Sequence, residues 1–113
     1  MNQVALTGRL TRDPEMRMTP GGDEVCAMRL AVDGPDENTT FVDVTAFAQL
    51  AKNCGEYLEK GRAIAVSGRL SYSEWETDDG AKRSKHEVIA RAVDFLAGGR
   101  REEKQAEEAA ASF

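Results

Sequence analysis

The sequence predicts an all-β fold, a five-stranded antiparallel barrel with one α-helix between the third and fourth strands. Apolar and polar residues alternate in five separate segments, which is the pattern of strands with one buried face. The period changes to that of an amphipathic helix only once, over residues 48–61. With 113 residues, 41% of them hydrophobic, the chain has the size and apolar content of one folded domain.

The first two strands are predicted from alternation over residues 3–10 and 25–32. Between them lies an extended segment with Met16 and Met18 on one side, followed by the turn T-P-G-G at 19–22. A turn is expected there because proline fixes φ and glycine accepts positive φ. The predicted inward residues are Val4, Leu6, Gly8 and Leu10 in the first strand and Cys26, Met28, Leu30 and Val32 in the second.

The third strand, F-V-D-V-T-A-F at 41–47, is followed directly by the helix. Its inward residues are Val42, Val44 and Ala46. In the next segment Leu50, Cys54 and Leu58 recur every four residues, with Tyr57 beside them. This spacing predicts an amphipathic helix that Gly61 stops.

Two further strands follow, over residues 63–72 and 85–96, joined by a hairpin turn at D-D-G-A. The predicted inward residues of the fourth strand are Ile64, Val66, Gly68, Leu70 and Tyr72. From Gly98 the composition changes to charge and alanine without an apolar stripe. We therefore expect one domain over residues 1–97 and a short, solvated tail over 98–113. The order of elements is that of an OB fold, although alternation alone leaves a sandwich or another small α+β fold open.

The net charge, and the lack of a sequence pattern for a membrane span or a secretory signal, narrow the classes of function. A net charge of −5, from 15 basic and 20 acidic residues, argues against a protein that binds nucleic acid through a generally basic surface. No apolar run approaches the length of a membrane span, and no secretory signal opens the chain, so we expect a cytoplasmic protein. Cys26 and Cys54 are expected to be free thiols, and with one histidine we expect no metal site and no cofactor.

Three aromatic residues fall on the sides that alternation assigns to solvent. Phe41 and Phe47 lie opposite the inward residues of strand three, and Trp75 continues the outward side of strand four. Exposed rings with guanidinium groups nearby suit single-stranded nucleic acid, since unpaired bases stack on rings and arginines meet phosphates. The predicted DNA-binding residues are Trp75, Phe47, Phe41, Arg9, Arg29, Arg69, Lys82, Arg83 and Lys85.

Simpler interpretations and rival functions stay open at this point. A single exposed ring is ordinary, and Phe41 or Phe47 could instead seal a subunit interface or the underside of the helix. The basic segment A-K-R-S-K at 81–85 could be a solvated hairpin tip. An enzyme is disfavoured because the acidic loop E-T-D-D-G is first a turn, and His86 has no nucleophile nearby in sequence. A domain that binds protein through the same rings is the harder rival to exclude.

Several segments resemble the bacterial single-stranded DNA-binding protein family, over about residues 2–96. They are N-Q-V-A-L-T-G-R-L-T-R-D-P-E-M-R, M-R-L-A-V, F-V-D-V-T-A-F, L-A-K-N-C-G-E-Y-L-E-K-G-R-A-I-A-V-S-G-R-L, E-W-E-T-D-D-G and H-E-V. The resemblance implies an OB fold, a homotetramer, and wrapping of single-stranded DNA with little sequence preference during replication, recombination or repair. It further implies that Trp75 and Phe47 stack on bases, and that Phe41 takes the place of a tryptophan common in the family.

The chain also departs from this family at its interface and its end. A second tryptophan common near the end of strand two is missing, Glu74 stands where a basic residue is common, and Ala48-Gln49 replaces Gly-Lys. These departures imply weaker or less extensive DNA contact, as in an accessory paralogue. The long Gly/Pro-rich linker and the acidic tip ending in Pro-Phe are missing, with only Phe113 matching. Phe113 is the candidate partner-binding residue, but recruitment of repair or replication proteins through this tip is in doubt.

Overall fold

The computed structural model describes residues 1–96, so the predicted tail at 98–113, including Phe113, lies outside the described residues. The elements are β1 Val4–Leu10, β2 Glu15–Met18, β3 Glu24–Asp33, β4 Thr39–Phe47, α1 Ala48–Tyr57, β5 Ala63–Glu76 and β6 Lys82–Phe95, with a short 3-10 turn at Pro35–Glu37 between β3 and β4. The predicted all-β architecture is confirmed. The helix lies between the predicted third and fourth strands, which are β4 and β5 of the structure. None of the helices within residues 1–96 is long and apolar enough to cross a membrane.

The strands form one sheet in the order β1-β5-β6-β4-β3-β2, and β1 also pairs with β3. The pairs Arg9–Ala31 and Leu10–Leu30 return the sheet to its first strand, so hydrogen bonds run around a ring, consistent with an OB fold. Two details differ from the prediction. The short strand β2 adds a sixth member outside the ring, and β4 runs parallel to β6. Five strands in a ring cannot all be antiparallel to their neighbours, so one parallel pair is required.

The core lies where the inward residues of β1, β3, β4 and β5 meet the helix. Its buried members are Leu10, Cys26, Met28, Leu30, Val44, Ala46, Ala51, Cys54, Leu58, Ile64, Val66 and Val88. Ring closure depends on two glycines, since a Cβ at Gly8 would overlap the carbonyl oxygen of Ala31 on β3. A Cβ at Gly68, where the β5–β6 register shifts, would likewise overlap the carbonyl oxygen of Ile89.

The fourth predicted strand is longer than expected, and its last inward residues are not in the core. β5 continues to Glu76, and Leu70 and Tyr72 are 46% and 51% exposed. β4 pairs with β6 only at Val88 and Ile89. Residues 71–87, here called the hairpin arm, therefore pair with each other as two strands, and the side chains of Lys85 and Glu87 still contact β4. No element within residues 1–96 covers the side that carries Tyr72.

The helix ends earlier than predicted. α1 finishes at Tyr57, because Leu58 takes extended backbone angles while its N–H still donates to the Cys54 carbonyl at 3.1 Å. Gly61, the predicted stop, lies in the turn before β5, where its N–H donates to the Leu10 carbonyl at 2.8 Å. Leu58 is still buried, as the four-residue spacing predicted.

Candidate nucleic-acid interface

Strands β3, β4, β6 and β5 present one continuous surface on the side away from the core, here called the outer face. Residues paired across neighbouring strands share a side of the sheet. One row therefore crosses all four strands through Ala27, Thr45, Ile89 and Arg69. Every predicted DNA-binding residue on β3, β4 and β5 has the parity of this row, so the register brings them onto the same face.

The two phenylalanines lie at opposite ends of the outer face of β4. Phe41 is 55% exposed and Phe47 is 43% exposed, while Val44 between them is buried. Six residues of strand separate the two rings by about 20 Å. The Arg29 guanidinium carbon lies 5.4 Å from the Phe41 ring centroid, in a cation–π contact. Strand β4 thus offers two separated rings on the outer face, one of them already in contact with a cation.

Trp75 lies on the hairpin arm, directly opposite Arg83 on β6, and is 47% exposed. Lys85, one alternate position further along β6, shares this side of the arm with the Trp75–Arg83 pair. Lys82 pairs with Glu76 instead, on the opposite side of the arm. The three basic residues of the segment 82–85 therefore lie on two sides of the arm. Arg83 and Lys85 are on the side of the outer face, and Lys82 is on the other side.

Two carboxylates stand in the middle of the outer face and tie up two of its cations. Asp43 accepts from the Arg29 guanidinium at 3.4 Å and lies 3.8 Å from the Lys85 ammonium. Glu87 lies 3.7 Å from the same ammonium and accepts a 2.7 Å hydrogen bond from Thr45. Neither carboxylate is among the predicted site residues. Both positions are odd-numbered, like the outward residues of their strands, and this pattern in the sequence could have placed them on the outer face.

The remaining predicted arginines lie on either flank of the face. Arg9 on β1 pairs with Ala31, which pairs in turn with Phe41, so these three residues form one row. The Arg9 guanidinium donates to the Gly61 carbonyl at 3.1 Å. Arg69 is exposed on β5 beside Ile89. Both arginines are thus within reach of a strand that crosses the face.

The other side of the arm carries an aromatic pair, formed by His86 and by Tyr72, which alternation predicts to face the core. The Tyr72 and His86 rings face each other with centroids 4.7 Å apart, and the Tyr72 hydroxyl donates to Glu74 at 2.5 Å. These rings lie on the side opposite Trp75. They supply a control surface of similar chemistry outside the outer face.

The acidic loop at the tip of the arm serves the turn. The Asp79 carboxylate accepts from the Thr77 hydroxyl and from the Ala81 N–H, and the first of these hydrogen bonds is the main cause that lowers the Asp79 pKa. Backbone hydrogen bonds join Thr77 and Ala81 at 2.9 Å and Gly80 to Thr77 at 2.9 Å. Within residues 1–96 there is no group of three or more His, Cys, Asp or Glu side chains that could hold a metal ion.

A small closed sheet with exposed rings and guanidinium groups on one face is the architecture of OB-fold proteins that bind single-stranded nucleic acid. The sequence model of the single-strand binding protein family matches residues 1–96. The chain therefore belongs to the single-strand binding protein family, whose members bind DNA and are not enzymes.

Named relatives agree with this assignment. A single-stranded DNA-binding protein of Clostridium tetani is 39% identical, over 90% of this chain and 74% of the relative. One of Thermotoga maritima is 40% identical, over 84% of this chain and 73% of the relative. One of Fusobacterium nucleatum is 41% identical, over 84% of this chain and 66% of the relative.

Proposed function

We propose that the protein binds and protects single-stranded DNA with little sequence preference, in replication, recombination or repair. The observation that carries the proposal is the presence of Phe41, Phe47 and Trp75, all about half exposed, on one face of a closed sheet. Stacking on such rings contributes about 1–3 kcal/mol per base and tolerates any base, because every base has a π face. In this proposal residues 1–97 are the binding domain.

The register supports a path for the strand across the outer face. It begins at Phe47, passes the central row near Arg69, reaches Phe41 and Lys85, and ends at Trp75. The order follows from the pairing of β4 with β6 and of β6 with β5. Arg69 and Arg29 lie beside the middle of this path, and Lys85 and Arg83 lie beside its end. An acidic protein can bind a polyanion in this way, because the local charge on one face decides the contact.

We further propose that the protein assembles into a homotetramer. In support, β3 pairs with β1 only at Arg9 and Leu10, so Val4–Thr7 have no strand partner on that edge among residues 1–96. An open edge is a template for pairing with another chain. Sedimentation or light scattering should give a mass of about four times the 12.3 kDa of one chain. A mass that stays at 12.3 kDa would count against assembly and leave DNA binding untouched.

A second candidate is an OB-fold module that binds a protein partner, or an accessory paralogue that binds DNA weakly. The observation in its favour is the pair of carboxylates, Asp43 and Glu87, at the centre of the outer face. Fixed negative charge there repels phosphate and leaves fewer free cations. With single-stranded DNA as the only partner present, the protein-binding module should not bind, whereas the accessory paralogue should bind weakly.

Fluorescence of Trp75, the chain's only tryptophan, gives the test. Oligo-dT should quench this emission, and the effect should weaken as salt is raised, because phosphate contacts release counterions. Duplex DNA of equal length, whose bases are stacked and paired, should quench far less. No quenching together with no mobility shift would favour the protein-binding candidate. If DNA binding holds, a fluorescent fusion should concentrate at the nucleoid.

A further inference from the structure

The outer face contains its own competitor for the cations that DNA needs. The side chains of Asp43 and Glu87 are 28% and 23% exposed, whereas those of Arg29 and Lys85 are 44% and 42% exposed. The carboxylates are therefore more buried than the cations with which they form ion pairs. Phosphate oxygens can reach both cations only by sharing or replacing these intramolecular partners.

The two carboxylates are positioned by different contacts. Glu87 is fixed by the 2.7 Å hydrogen bond from Thr45, a residue only 9% exposed. Asp43 is directly opposite Arg29 in the β3–β4 register and reaches Lys85 on the other side. One acid thus engages both cations, and the second keeps a negative charge at the centre even when a cation moves.

We propose that Asp43 and Glu87 set the affinity and salt dependence of single-stranded DNA binding by competing with phosphates for Arg29 and Lys85. This inference rests on the function proposed above. Binding exchanges one ion pair for another at these two cations. Such an exchange releases fewer condensed counterions than contact by a free cation, because the freed carboxylate regains counterions of its own.

The expected size of the effect follows from counterion release. Each phosphate contact on a single strand steepens the slope of log K against log salt by about 0.7. If Asp43→Asn frees one cation for one phosphate, the slope should steepen by about that amount. If the two affinities are equal at about 1 M salt, this slope difference makes the affinity of Asp43→Asn about five-fold higher than that of the wild type at about 0.1 M. Glu87→Gln should act in the same direction, and its amide oxygen can still accept from Thr45.

The experiment measures anisotropy of labelled oligo-dT with the full chain at several salt concentrations. Glu56→Gln is the matched control, because it removes one negative charge from an exposed position on α1. It should leave the slope unchanged. Thermal unfolding of each variant checks that the fold persists. Equal affinity and slope in the wild type, Asp43→Asn and Glu87→Gln would overturn the inference, while quenching of Trp75 in the wild type would still support the proposed function.

Testing Asp43→Asn together with Arg29→Gln separates competition for cations from simple repulsion between the carboxylate and phosphate. The gain from Asp43→Asn should shrink when Arg29→Gln is also present, because one of the competed cations is then gone. An undiminished gain in that background would overturn the competition mechanism. A wild-type protein that neither quenches nor retards single-stranded DNA would overturn the proposed function and this inference together.

Discussion

Replacing Trp75 with alanine removes the largest ring of the outer face from a place where it supports little of the fold. The ring is 47% exposed on a two-stranded arm, and its cross-strand partner is Arg83. A cross-strand pair of this kind contributes about 0.2–1 kcal/mol. The free energy of unfolding should therefore fall by no more than about 1 kcal/mol, and the thermal midpoint by several degrees.

The loss in DNA binding should be larger than the loss in stability. Removal of one stacked base costs about 1–3 kcal/mol. That range corresponds to binding about 5- to 150-fold weaker, since 1.4 kcal/mol is a factor of ten. Trp75→Phe should recover most of the affinity, because a phenyl ring keeps a π face with a smaller area.

Anisotropy of a labelled oligo-dT is the appropriate assay, because the variant lacks the only tryptophan. Tyr72→Ala is the matched control, as it removes an exposed ring from the opposite side of the same arm. Its affinity should stay within about two-fold of the wild type, since no stacked base is lost. A folded Trp75→Ala variant with wild-type affinity would refute the assignment of this ring to the interface, as would equal losses in both variants.

Three further predictions concern other parts of the molecule. Phe47→Ala should weaken oligo-dT binding by about one stacked base, whereas Tyr57→Ala, an exposed ring on α1, should not; the same titration compares them. Gly68→Ala should lower the free energy of unfolding by about 1–3 kcal/mol, because its Cβ would overlap a backbone carbonyl oxygen. Gly21→Ala, in an open turn, should have little effect in the same denaturant titration. Burial raises the Cys54 pKa from 9.0 to about 12, so the folded thiol should resist alkylation at pH 8. Its contribution to stability should be complete below pH 9 and be lost as pH rises toward 12; fast alkylation without unfolding would contradict its burial.

The two-residue period was sufficient to place the rings. Phe41 and Phe47 flank inward valines and an alanine on one short strand, so their outward direction follows from parity alone. Parity does not predict the exposure of Leu70 and Tyr72, because it gives the side of a strand but not whether anything covers that side. Whether the arm is covered depends on where β4 stops pairing with β6, which is a contact between distant segments.

The carboxylates at the centre of the face show the same limit. Asp43 and Lys85 are 42 positions apart in the chain, and they meet only because β4 and β6 pair in one particular parallel register. No local pattern specifies that register. The four-residue spacing identified the helix and its buried side, but the end at Tyr57 was set by the backbone turn toward β5.

The position of β6 between β4 and β5 has a consequence for biosynthesis. This strand is the last of the described elements to leave the ribosome, yet it is the one that joins the two halves of the ring. A nascent chain that ends before Lys82 exposes one unpaired edge of β4 and one of β5, and such edges favour association with other chains. Ring closure therefore follows the synthesis of residues 82–95.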